Sequence, residues 1–104
     1  MYRILYLPTQ EFLFINNVGA GNLIDPLFAR TPYGKSLIQK QILKIAEFKN
    51  LFLAEKILLK SMKKWKKFPQ DKLFKSNYPN LVRKYPLEDI KEINFYTILW
   101  IDHV

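Results

Sequence analysis

Cysteine is absent from the 104 residues. Its absence excludes disulfides, thiolate zinc sites and cysteine nucleophiles, and it fits a reducing, cytoplasmic setting. Histidine occurs once, as His103, and a lone imidazole cannot build the usual zinc site without other nitrogen or sulfur ligands. No apolar run approaches the ~20 residues needed to span a bilayer, so no transmembrane segment is expected. The opening residues MYRILYLPTQ lack the long apolar centre and small-residue cleavage site of a secretory signal. No serine stands in a nucleophile-elbow context, which leaves little to support an enzyme, and no cofactor is implied.

Acid is scarce in one place. Residues 60–84 hold Asp71 as their only acid against nine bases: Lys60, Lys63, Lys64, Lys66, Lys67, Lys72, Lys75, Arg83 and Lys84. That stretch carries the whole formal charge of +8, because the other eight bases and eight acids cancel. Aromatics are interleaved with these bases, Trp65 and Phe68 among them. Lysines can neutralise phosphates and release counterions, and aromatics beside them can stack unpaired bases. The alternative is a solvated lysine face with its aromatics in the core. The charge asymmetry points to an acidic partner, either nucleic acid or an acidic protein surface. Lysine outnumbers arginine 14 to 3, which favours contact with the phosphate backbone over base reading.

What remains describes a single α+β domain. Residues 2–7 and 12–17 predict an antiparallel hairpin turned at Pro8 to Gln10, and residues 94–101 predict a third strand. Residues 16–34 contain all three glycines and two prolines and read as a long, irregular loop with one short turn. Between residues 35 and 68 there is neither glycine nor proline. Apolar residues recurring at three and four predict helices over 36–48 and 50–67, with Ser36 and Asn50 as caps. A rival reading makes residues 41–48 a strand feeding the helix at Asn50. Pro86 suits the start of a short helix, PLEDIKEI. The expected core comprises Ile4, Leu5, Phe14, Ile42, Ile45, Ala54, Ile57, Leu58, Ile98 and Trp100, with a small sheet packed on two helices.

Three further constellations have both a chemical and a plain reading. Residues 29–36, ARTPYGKS, resemble a Walker A signature, in which Lys35 and Ser36 would meet phosphate and magnesium. The run ILWID ending at Asp102 looks like its acidic companion strand. The plain reading is a turn at Pro32 and Gly34. Glu88, Asp89 and Glu92 could share a helical face and hold magnesium, or simply form a solvated helix start. His103 beside Asp102 is either a catalytic pair or a chain end.

The outline YRILYLPTQEFLF, then FKNLFLAEKIL, then a closing strand resembles small phage and bacterial α+β accessory proteins. That resemblance implies an accessory protein, and some proteins of this size inhibit host defence systems, anti-CRISPR proteins among them. The leading expectation is a non-enzymatic binding protein engaging nucleic acid or a nucleoprotein through residues 60–84. The alternatives are an inhibitor or adaptor docking on an acidic protein surface, and a small nuclease or nucleotide-binding enzyme.

Overall fold

The computed structural model describes residues 1–16, 21–67 and 92–102; for Lys66 and Lys67 it describes the backbone alone. The elements follow in the order β1 (Tyr2–Tyr6), β2 (Glu11–Phe12), β3 (Phe14–Asn16), α1 (Pro26–Arg30), α2 (Pro32–Gln39), β4 (Leu43–Ile45), α3 (Leu51–Lys67), a 3-10 turn (Ile93–Phe95) and β5 (Tyr96–Trp100). The fold is α+β, with small antiparallel sheets packed against helices.

β1 is the central strand of a three-stranded sheet ordered β2-β1-β5. Its apolar character on both faces reflects that position. β5 pairs along its full length, from Tyr2↔Trp100 to Tyr6↔Tyr96. The predicted strand over 12–17 is divided at Leu13. β2 completes the hairpin with β1, whereas β3 pairs with β4 in a second sheet. Leu13 joins the two sheets: its N–H donates to the Ile4 carbonyl and its carbonyl accepts from Ala46 N–H, both at 2.9 Å. The side chain between those bonds is buried.

The predicted helix over 36–48 is corrected in both directions. The helix starts earlier because Thr31 caps it, its Oγ1 accepting from Gly34 N–H at 3.0 Å, and Pro32 occupies the first turn, where a missing N–H costs nothing. It ends at Gln39, and Gln41 takes a positive φ of 61° that no helix continues through. Ile42 to Phe48 then follow the rival, extended reading, with β4 inside it. The expected loop over 16–34 is likewise shortened by α1, which repeats the device: Asp25 Oδ1 accepts from Phe28 N–H at 2.8 Å, and Pro26 follows. Gly34 is required where α1 meets α2, because a Cβ there would stand 2.2 Å from the Phe28 carbonyl oxygen.

α3 begins where the sequence predicts, with Asn50 Oδ1 accepting from Leu53 N–H at 2.7 Å. Its inward face places Ala54, Leu58, Met62 and Trp65 in one core with Ile4, Tyr6, Leu13, Leu23, Leu27, Phe48 and Tyr96. Of the expected core, Ile4, Ala54 and Leu58 are fully buried, and Leu5, Phe14, Ile42, Ile57 and Ile98 are half-buried. Ile45 and Trp100 are exposed instead. Tyr2 packs against the Trp100 ring edge to face, with centroids 5.0 Å apart.

Candidate nucleic-acid interface

α3 carries six lysines and one acid, Glu55. Its inward stripe is fixed by apolar residues at three- and four-residue spacings, so the lysines must fall on the other side. Lys56, Lys60, Lys63 and Lys64 are all exposed. From Lys56 to Lys64 the row covers about 12 Å of helix axis. The last turn is also where the macrodipole favours cations.

Two of the acids are engaged elsewhere. Arg3 Nε lies 3.1 Å from Glu47 Oε2, with its guanidinium also over the Phe12 ring. Arg30 lies 2.9 Å from Glu11. Both ion pairs join neighbouring elements of the scaffold. Among the described residues, none of the four α3 lysines makes an ion pair.

Sequence reasoning placed Trp65 among the binding residues. The structure places it in the core, 7% exposed. Its indole N–H donates to the Leu23 carbonyl at 3.2 Å, and its ring packs against Tyr96 with centroids 6.2 Å apart. Ser61, one turn earlier, is fully buried. Its Oγ accepts from Leu23 N–H at 3.0 Å and donates to the Ile57 carbonyl at 2.7 Å. Both backbone groups of Leu23 are thus satisfied by side chains of α3. The indole is held by two neighbours and is not available to stack on a base. Burial pushes the Tyr96 phenol far above its ordinary pKa, with Tyr6 and Asp25 adding to the effect, so it stays neutral.

Of the predicted binding residues, Lys60, Lys63 and Lys64 stand together on one face. Lys66 and Lys67 continue the helix backbone. Phe68, Lys72, Lys75, Arg83 and Lys84 lie outside the described residues. Lys56 was missed because it sits beside Glu55, upstream of the basic run, yet helical spacing puts it one turn before Lys60. Phe52 and Leu59 were missed too. At i, i+4, i+7 and i+11, Phe52, Lys56, Leu59 and Lys63 form one outward stripe, and Phe52 is 74% exposed. At the C-terminal end of α3, Lys64 and Trp65 border a cleft of about 290 Å³ with Asp25 and Phe28.

The Walker-like segment is not a phosphate loop. Its residues from Pro32 onward are helical, and the amides that would cradle a phosphate are engaged: Gly34 N–H with Thr31 Oγ1 and Lys35 N–H with the Thr31 carbonyl. Asp102 accepts from the Trp100 indole at 2.6 Å. Glu92 is exposed, and Glu88, Asp89 and His103 lie outside the described residues. Among the described residues, no three His, Asp or Glu side chains gather as a metal site, and no helix is long and apolar enough to cross a membrane.

No family model matches the chain, and no curated protein and no solved structure is significantly similar to it.

Proposed function

We propose that the protein is a non-enzymatic binding module that engages the phosphate backbone of nucleic acid through the outward lysines of α3. The observation that carries this reading is the division of labour among its cations. Arg3 and Arg30 are used in scaffold ion pairs, while Lys56, Lys60, Lys63 and Lys64 stand on one helix side with no ion-pair partner among the described residues. Over about 12 Å of axis, duplex DNA carries about seven phosphate charges at one per ~1.7 Å. With Trp65 in the core, the aromatic exposed on the lysine stripe is Phe52. The lysine row suits contact with the phosphate backbone, with little sequence preference.

A second reading rests on Phe52 and Leu59. Apolar side chains on the lysine stripe gain nothing from a phosphate backbone but can pack on a protein. They favour an acidic protein surface with an apolar strip, as an inhibitor or adaptor would use.

Binding to labelled single- and double-stranded DNA and RNA over a salt series separates the two. The first reading expects a steep negative salt slope, reduced by about 3 to 4 in the variant with Lys56, Lys60, Lys63 and Lys64 all changed to Gln. No binding at low salt removes it. A pull-down comparing the wild-type chain with Phe52→Ala then tests the second.

A further inference from the structure

The basic row does not account for the outer edge of β5. Leu7 N–H donates to the Phe95 carbonyl, and Ile101 N–H donates to the Met1 carbonyl. Between them lie the pairs Leu5↔Thr97 and Arg3↔Leu99. Backbone groups alternate in direction along an antiparallel strand, so the odd-numbered residues of β5 face β1 and Ile98 and Trp100 turn theirs outward. β5 ends its sheet, and among the described residues no strand receives these groups. Such an edge is a template for another strand, and proteins ordinarily guard it with charge, proline or a bulge. Residues 93–101, INFYTILWI, contain no charge and no proline, in a chain of net charge +8.

A groove of about 430 Å³ runs beside this edge, between Leu51, Glu55, Leu58 and Leu59 of α3 and Ile98 of β5. Trp100 shares a sheet face with Ile98 and is 57% exposed.

We propose that a second copy of this chain pairs with this edge, β5 antiparallel to β5 about a twofold axis at Leu99. In that register Ile98 faces the second copy's Trp100 and Trp100 faces its Ile98. Each pair exchanges two backbone hydrogen bonds. Each exposed indole comes to lie across from the other copy's Ile98, at the mouth of its groove, and the two Leu99 side chains meet on the opposite face. The edge selects its own copy because its parts complement one another under twofold symmetry: outward donors and acceptors, a projecting ring, a groove to receive it, and an apolar residue, Leu99, on the axis.

The test uses the full chain at high salt, where repulsion between the lysine rows is screened. Sedimentation should show a reversible dimer. The chain has no cysteine, so Leu99→Cys supplies one thiol per copy. The non-hydrogen-bonded pair at the axis holds Cα atoms about 4.5 Å apart, within disulfide reach. Under mild oxidation this variant should cross-link about tenfold or more faster than Tyr33→Cys, an exposed site away from the axis, because the dimer concentrates the two thiols. Leu99→Lys should return the protein to a folded monomer that melts, within a few degrees, where the wild-type chain melts once diluted below its dimerisation range. A wild-type chain that stays monomeric at every concentration overturns the proposal and leaves the edge to a strand of another protein. So does a dimer whose Leu99→Cys form cross-links no faster than the Tyr33→Cys control.

Discussion

The two sides of α3 place similar residues under opposite conditions. Outward, Phe52, Lys56, Leu59, Lys60, Lys63 and Lys64 meet solvent; inward, Ala54, Leu58, Ser61, Met62 and Trp65 are sealed against the sheet and the segment around Leu23. Trp65 directly follows Lys63 and Lys64 in the basic run, yet its ring is buried while both of those lysines are exposed. Phe52 lies outside the basic run but shares a stripe with Lys56 and Lys63. Interleaving in sequence says little about a common surface; helical phase decides it.

If the division is sound, the two sides fail differently. Trp65→Ala removes the largest inward side chain and should cost ~3–5 kcal/mol of stability. Lys63→Gln should stay within about 0.5 kcal/mol. Urea denaturation of both variants checks the pair. An unchanged midpoint for Trp65→Ala would mean that the indole is not a core element. A smaller effect sharpens the same contrast. Ser61→Ala leaves the buried Leu23 N–H without its acceptor and should cost ~1–3 kcal/mol, with faster hydrogen exchange at that amide. Exchange at Leu23 equal to wild type would show that the Ser61 bond does not hold the segment.

Much of this arrangement is legible in the residues. Asn50 announces α3, the three-and-four spacing assigns its faces, and β1, its hairpin and β5 read from short apolar runs. Three things were obscured for physical reasons. The Asp25-Pro26 and Thr31-Pro32 pairs are both a cap followed by a proline at the first helical position, but proline beside glycine also reads as loop. Residues 41–48 are a short apolar run, where helix and strand periods cannot be told apart; the choice was made by β3, which needed a partner across the sheet. Trp100 has the alternation of a core residue, but the packing of α3 on the sheet leaves it uncovered. As for the interface, the charge run located the helix but not the face. Lys56, Phe52 and Leu59 enter only once the phase of α3 is known.

The last contrast is between titrating groups. Tyr96 packs against Trp65 on the inward side, and burial raises its pKa well above the usual phenol value. Above about pH 10 the unfolded chain releases this proton while the folded chain keeps it. The unfolded state then binds fewer protons, so stability falls as pH rises. The Tyr96 contribution is intact below pH 10 and is lost above it, at a rate approaching ~1.4 kcal/mol per pH unit. Denaturation from pH 8 upward should therefore show a decline in the wild-type chain that is shallower in Tyr96→Phe, which has no proton to lose. Equal slopes in the two proteins would mean that the phenol reaches solvent, and the core around Trp65 would then be more open than its packing indicates.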